Sequence, residues 1–163
     1  MNKMDYISRA ISLSRWALSN GKLTPFGAVL VVDGEIAGEG ISQVVASHDP
    51  TAHAEMMALR NAGAKLKTHL FPTATIYCSS EPCPMCFAAC LWAQVPRVVY
   101  ATSTLDVAIH GFEDMLFYRE VAYPDDAEFI TKARVGGEKE SESLAILDAW
   151  AKIVPGGSSL SFS

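Results

Sequence analysis

The chain has 163 residues, half of them hydrophobic, with a formal net charge of −5 and a pI of about 5.3. This length fits one domain with a sizeable core, predicted to span residues 1–154 and to be followed by a mobile tail at 155–163. The acidic balance provides no electrostatic footprint for a nucleic-acid backbone or an anionic membrane, so small neutral ligands are favoured as partners.

The N-terminal region argues against export. Arg9 and Arg15 interrupt the stretch in which a signal peptide needs an unbroken apolar segment. No other stretch has about eighteen uninterrupted apolar residues. We therefore expect a cytoplasmic protein without a membrane-spanning segment. In the reducing cytosol, the four cysteines of the chain favour metal binding or free thiols over disulfides.

In chain order, the first predicted element is a helix over residues 4–19, where apolar side chains recur at helical spacing before Asn20-Gly21. Two strands joined at Asp33-Gly34 follow, because that dipeptide suits a tight hairpin turn. The first of these strands is apolar from Ala28 to Val32, which predicts that both of its faces are covered.

The middle of the chain alternates between helices and strands. Its first helix is predicted to take Asp49 or Thr51 as N-cap and to end at Gly63. The later elements are a strand at 74–80, a helix between Pro84 and Pro96 and a buried strand at 97–102. Such alternation indicates a sheet with helices on both faces.

The last third of the chain is less regular. Residues 128–135, EFITKARV, are compatible with an edge strand. Residues 141–153 predict an amphipathic helix with Leu144, Leu147 and Ala151 on one face. No internal repeat and no linker divides the chain.

The four cysteines lie within one short segment, CSSEPCPMCFAAC, from Cys78 to Cys90. Cys83 and Cys86 are three residues apart at a predicted helix start, so both thiols can face one point. The positive end of the helix dipole favours their thiolates, which suits a soft divalent metal. Cys78 and Cys90 are interpreted as small buried hydrophobic side chains.

His53 is the third predicted metal ligand. His53 and Glu55 are two residues apart, about 200° around a helix, so both reach one site only if it lies off the N-terminal end of the helix. Two thiolates and one imidazole form a zinc site whose fourth position is open to water, which implies catalysis. Zinc lowers the pKa of that water to roughly 7, and Glu55 is predicted to transfer its proton. The alternative is a closed structural zinc site with Cys78 or Cys90 as fourth ligand, which leaves Glu55 without a role.

The motifs HAE at 53–55 and PCPMC at 82–86 resemble the H-x-E and P-C-x-x-C signature of the cytidine deaminase superfamily of zinc deaminases. The resemblance implies the α/β class, with a three-layer α/β/α domain around a central mixed sheet of about five strands. It also implies that a zinc-bound hydroxide attacks the amino-bearing carbon of a base. The same resemblance implies a homodimer whose subunits help to complete each other's sites.

Further segments, spread over roughly residues 5–120, are similar to the bacterial guanine deaminase branch of this superfamily. They are PFGAVLV, DPTAHAE, SSEPCPMC, Trp92-Ala93, GFED at 111–114 and FYRE. GFED is the most specific, because the HAE and PCxxC motifs occur throughout the superfamily. By position, the resemblance makes Phe26, Ser42, Trp92 and Asp114 substrate-binding residues. Phe26 is placed against the face of the base, and the Asp114 carboxylate accepts hydrogen bonds from adjacent N–H groups.

Two positions depart from this branch. The branch usually has Asn where this chain has Ser42, and a short hydroxyl replaces an amide that offers both a donor and an acceptor. The branch also places an aromatic residue over a site near the C-terminus, where this chain offers only Phe162. The predicted function is deamination of a free nucleobase, with guanine first. Alternatives are another amino-substituted ring (cytosine, a pterin or a triazine), adenosine in transfer RNA, and a non-catalytic zinc module.

Overall fold

The computed structural model describes residues 3–112, 114–124 and 129–153. The helices are Lys3–Trp16 (α1), Val44–Ser47 (α2), Ala54–Leu66 (α3), Pro84–Trp92 (α4), Thr104–Ile109 (α5), Met115–Ala122 (α6) and Glu138–Ile153 (α7). A 3-10 turn at Ala17–Ser19 follows α1, so the last part of the helix predicted over 4–19 has a tighter winding. The strands are Thr24–Val32 (β1), Glu35–Ser42 (β2), Thr75–Ser80 (β3) and Arg97–Thr102 (β4).

The four strands form one mixed sheet in the order β2-β1-β3-β4. β1 runs antiparallel to both β2 and β3, and β3 runs parallel to β4. The predicted hairpin between β1 and β2 is confirmed, with Asp33 at φ 50° and Gly34 at φ 82°. Two successive residues with positive φ match the turn type that suits the twist of a two-residue hairpin.

Helices cover both faces of the sheet, which confirms the three-layer α/β/α arrangement. On one face, side chains of α1 pack against alternate residues of the strands, in a cluster of Tyr6, Ala10, Leu13, Val29, Val31, Ile41 and Tyr77. On the other face, small residues of α3 and α4 pack against β1 and β3, among them Ala54, Ala58, Cys90, Leu30 and Ile76. The strand from Ala28 to Val31 is therefore buried on both sides, as predicted.

Two predictions about the strands are wrong. The described part of the predicted edge strand, residues 129–135, is not in a strand, so the described sheet has four strands and not about five. A strand is stable only beside a partner, and none of the described strands pairs with this segment. The strand at 97–102 was predicted to be buried, but β4 lies at the edge of the sheet and its residues are half-buried or exposed.

The limits of α3 also differ from the prediction. The N-cap is His53, and Asp49 instead accepts hydrogen bonds from the Thr51 amide and hydroxyl in a turn before the helix. The helix continues past Gly63 and ends at Leu66, with Lys67 in the left-handed conformation. A glycine inside a helix costs only about 1 kcal/mol, and the packing of Ala58 and Ala62 against the sheet outweighs that cost.

α3 packs unusually close to β2 through two glycines. A Cβ atom added at Gly40 would lie 2.0 Å from the carbonyl oxygen of Ala54, and one added at Gly38 would lie 2.2 Å from that of Ala58. Both neighbours are backbone atoms, which cannot rotate away. Because Gly38 and Gly40 have no side chains, β2 lies closer to α3 than any other residue at these two positions would allow.

Gly40→Ala is expected to lower the free energy of unfolding by about 3 kcal/mol, because the added methyl group overpacks a backbone contact. For a domain of this size, the melting temperature should fall by roughly 6–12 °C in a thermal scan. Gly21→Ala is the matched control, since a Cβ there meets nothing within 4 Å. Equal melting temperatures for the two variants would contradict the prediction.

The chain divides into two compact units, Met1–Ala122 and Tyr123–Ser163. The first unit contains the sheet and all the motifs described above. In the second unit, the predicted helix is present as α7, which begins earlier than expected, at Glu138, and the Leu144 and Leu147 of its predicted apolar face are exposed. The single domain over 1–154 stays a prediction, and the predicted tail at 155–163 lies outside the described residues. Within the described part of the chain, none of the helices has the length and apolar character that a membrane crossing requires.

Candidate active site

The structure brings His53, Cys83 and Cys86 together. One nitrogen of His53 and the two sulfur atoms all lie within 4.8 Å of one another, and Nδ1 of His53 lies 3.6 Å from Sγ of Cys83. Cys86 is completely buried and Cys83 nearly so, while His53 is half-buried. Two sulfurs and one imidazole at this spacing form a donor set suited to zinc.

These donors lie at the beginnings of two helices. His53 is the N-cap of α3, Cys83 is the N-cap of α4, and both have extended backbone conformations. Pro84 follows Cys83 as the first residue of α4, where the missing amide proton of proline costs nothing. The positive ends of both helix dipoles therefore lie beside the cluster and stabilise a thiolate there.

The electrostatics of the cluster favour a thiolate at Cys83. The pKa of Cys83 is lowered, first because the side chain of Cys86 hydrogen-bonds to its sulfur and also because His53 does so. The same hydrogen bond, together with burial, raises the pKa of Cys86. The hydrogen bond to Cys83 is likewise the largest cause of the raised pKa of His53. Cys83 thus provides a thiolate, the form of cysteine that binds zinc.

Cys78 and Cys90 do not belong to this cluster. Both are almost fully buried, and all four cysteines are free thiols. Burial raises the pKa of Cys90 to about 12 and that of Cys78 well above its usual value, so neither thiol ionises readily. This confirms their interpretation as small buried side chains. Among the described residues, no fourth side chain joins the three donors, which favours an open site over a closed structural one.

Glu55 lies beside the cluster in the first turn of α3. Its side chain is only 7% exposed, and burial raises its pKa to about 7. The side chain of Cys86 hydrogen-bonds to the carboxyl group, which places Glu55 within reach of the donor set. A carboxyl group with a pKa near neutrality can both accept and release a proton at physiological pH.

One cavity joins the cluster to the predicted substrate-binding residues. Its walls are formed by Phe26, Ser42, His53, Glu55, Glu81, Cys83, Val107 and Asp114. Ser42 is buried at the end of β2, and Asp114 lies directly before α6, where its carbonyl oxygen accepts a hydrogen bond from the Phe117 amide. Three of the four predicted substrate-binding residues therefore surround the same space as His53, Glu55 and Cys83. Glu113, the third residue of GFED, lies outside the described residues.

Phe26 combines a wall position with core packing. Its ring packs edge-to-face with Phe112 at a centroid distance of 5.0 Å, and it also contacts the core between the sheet and α3. Phe26 therefore lies both at the cavity wall and against the core.

Trp92 is not brought to this cavity. It lies at the end of α4, is 66% exposed and lines a separate depression with Arg60, Phe71 and Ala93. Trp92 lies at the opposite end of α4 from Cys83. Within one chain, its role in binding substrate stays a prediction.

Sequence reasoning assigned no role to two residues that position the site. The Glu81 carboxylate accepts hydrogen bonds from the amide and hydroxyl of Thr104, at 2.8 and 2.9 Å. These bonds join the cysteine loop, residues 81–83 between β3 and α4, to the start of α5. The Tyr118 hydroxyl donates to the Pro82 carbonyl oxygen at 2.8 Å and joins the same loop to α6. Both residues lie within the quoted motifs SSEPCPMC and FYRE, which was the available signal.

The model of the cytidine and deoxycytidylate deaminase zinc-binding region matches residues 1–102. The chain belongs to this deaminase family. The guanine deaminase of Bacillus subtilis is 39% identical to this deaminase over 150 residues, which cover 92% of this chain and 94% of the relative. The X-ray structure of that enzyme matches with a TM-score of 0.87 and 37% identity, covering 95% of this chain and 97% of the other.

Two further matches cover less of the deaminase. The tRNA-specific adenosine deaminase of Buchnera aphidicola is 35% identical to this chain, and the match covers 66% of this chain and 71% of the relative. A solved structure in complex with 2,6-diaminopurine has a TM-score of 0.62 and 31% identity over 67% of this chain and 61% of its own. Together with the donor set, the matches confirm the cytidine deaminase-like fold, zinc as cofactor and a hydrolytic nucleobase deaminase. The likeness to guanine deaminase extends over nearly the whole chain, whereas that to the tRNA enzyme does not.

Proposed function

We propose that this deaminase hydrolyses guanine to xanthine and ammonia. The observation that carries the proposal is one cavity surrounded by His53, Cys83, Glu55 and Asp114. The chain that builds this cavity is similar to a guanine deaminase over almost its entire length. His53, Cys83 and Cys86 would hold zinc, which would lower the pKa of a bound water and so supply a nucleophile at neutral pH.

Glu55 is the proton carrier of this proposal. Its buried carboxyl group accepts the two protons of the attacking water one after the other, and delivers one to a ring nitrogen and the other to the departing amino group. Burial of this carboxyl group raises its pKa and so favours the protonated form that has to deliver a proton. Its position two residues after His53 keeps it beside the donor set without making it a fourth ligand.

Asp114, Phe26 and Ser42 are the proposed recognition residues. The Asp114 carboxylate suits a base edge with neighbouring N–H donors, because its two oxygens can accept two hydrogen bonds at once. Phe26 offers an aromatic surface to the face of the base. Ser42 contributes a buried hydroxyl at the cavity wall.

We also propose a cytoplasmic homodimer that does not bind nucleic acid. Exposed apolar side chains on one helix, Phe87, Leu91 and Trp92 of α4, support an interface there. A partner subunit on that surface would cover Trp92, in line with the expectation that subunits complete each other's sites. The net charge of −5 supports a small-molecule substrate over transfer RNA.

The proposal is tested by ammonia release from the zinc-loaded enzyme over one panel of compounds. The panel contains guanine, adenine, cytosine, their nucleosides, aminopterins and aminotriazines. We expect guanine to give the highest kcat/KM. A higher value for another ring would overturn guanine as the substrate and would indicate that Ser42 has redirected the site. If none of the compounds were turned over, the proposal that this chain deaminates a free nucleobase would be contradicted.

A further inference from the structure

Ser42 has a hydrogen-bonded partner just outside the cavity. Thr24, the first residue of β1, pairs with Ser42, the last residue of β2, across the antiparallel ladder. The Thr24 hydroxyl donates to Oγ of Ser42 at 2.5 Å. Ser42 is 2% exposed and lines the cavity, whereas Thr24 is half-buried and does not.

This pairing determines what Ser42 can offer to a ligand. A serine hydroxyl has one proton and two acceptor lone pairs. The proton of Thr24 occupies one lone pair, and Thr24 is the only side chain of the described residues with a hydrogen bond to Ser42. Because Ser42 accepts from Thr24, its own proton is not used in this pair and is available to a ligand in the cavity, beside one remaining lone pair. Without the Thr24 hydroxyl, nothing among the described side chains would hold the Ser42 hydroxyl in this orientation.

We infer that Thr24 is a positioning residue that holds the Ser42 hydroxyl as a hydrogen-bond donor to the substrate, so that the pair selects rings with an acceptor at this edge. The acceptor is an unprotonated ring nitrogen or a carbonyl oxygen. This inference rests on the proposed deamination of a heterocyclic base and adds a rule for which rings fit. Thr24 itself does not touch the substrate.

The first test compares Thr24→Val with Thr24→Ser. Valine keeps the shape of threonine and loses the hydroxyl, whereas serine keeps the hydroxyl. We expect Thr24→Val to raise KM about fivefold, the usual effect of losing one fixed hydrogen bond, with kcat within about twofold. Thr24→Ser should match the unmodified enzyme, and both variants should retain zinc. A wild-type KM for Thr24→Val would overturn the inference.

The second test uses substrate analogues that each lack one acceptor: 3-deazaguanine, 7-deazaguanine and 6-thioguanine. The unmodified enzyme should discriminate against one of them by about tenfold in kcat/KM relative to guanine. Thr24→Val and Ser42→Ala should each reduce that discrimination to about twofold. Comparing variants cancels the intrinsic reactivity of each analogue. Unchanged discrimination in both variants would overturn the inference, and Ser42→Ala supplies the result if Thr24→Val does not fold.

This design separates the inference from the proposed function. Guanine turnover by the unmodified enzyme tests the proposed function alone. The ratio of KM, or of discrimination between analogues, in the variants to that in the unmodified enzyme tests the positioning role of Thr24. If another ring of the panel is the substrate, the same comparison is made with analogues of that ring. If no ring is turned over, the affinity of the zinc-loaded protein for guanine and its analogues, measured by calorimetry, replaces KM.

Discussion

Glu55→Gln should lower kcat for deamination by about 10²–10⁴-fold while the zinc content stays at about one atom per chain. Glutamine keeps the size and polarity of the buried side chain but cannot carry a proton between water, ring and amino group. The metal donors His53, Cys83 and Cys86 are unchanged, so zinc should remain bound. Ammonia release and metal analysis on the same sample measure the two quantities.

Glu35→Gln is the matched control for this prediction. Glu35 is exposed at the start of β2 and does not line the cavity, so its replacement should leave kcat and KM unchanged. A kcat for Glu55→Gln within tenfold of the unmodified enzyme would show that another group transfers the proton. Loss of zinc from Glu55→Gln would instead show that Glu55 belongs to the metal site.

Cys83→Ala should abolish both zinc binding and turnover. It removes the sulfur whose pKa is lowered by Cys86 and His53, and two donors hold zinc far more weakly than three. We expect metal analysis to find less than about a tenth of a zinc atom per chain, and deamination to fall below detection. Thermal unfolding should also lose its dependence on added zinc, because binding to the native state no longer contributes.

Cys90→Ala provides a control on the same helix. Cys90 is 2% exposed and lies outside the donor cluster, so the substitution should cost about 1 kcal/mol for the small cavity while zinc and kcat are retained. Equal zinc loss in both variants would support a closed site with Cys90 as a ligand. Retention of zinc by Cys83→Ala would contradict the ligand assignment.

The sequence allowed the fold class and the metal donors to be predicted because both depend on short-range patterns. Alternating strands and helices indicate a covered sheet, and the spacing of Cys83 and Cys86 allows two sulfurs to meet. The two-residue spacing of His53 and Glu55 required a site off the helix end, and the structure places the donor cluster beside His53 as the N-cap of α3. The spacing within each motif needs no knowledge of tertiary contacts, whereas the contact of His53 with Cys83, thirty residues later, depends on the packing of distant segments.

Other features depend on contacts between distant segments. Val107 of α5 lines the cavity together with Glu81, whose carboxylate accepts a hydrogen bond from the Thr104 amide at the start of that helix, and no local pattern reveals this contact. The apolar residues of 97–102 suggested a buried strand. In the sheet order, however, this strand lies at one edge, where its residues are half-buried or exposed. The segment 129–135 has strand-forming residues and no partner strand among the described residues.

Gly38 and Gly40 determine how closely β2 approaches α3. β2 ends at Ser42, which lines the cavity, and α3 begins with Ala54, directly after His53. Because no side chain separates them, the strand and the helix lie as close as their backbones allow, and a side chain added at Gly38 or Gly40 would push them apart. The shape of the cavity between Ser42 and the metal donors therefore depends on two glycines that do not line it.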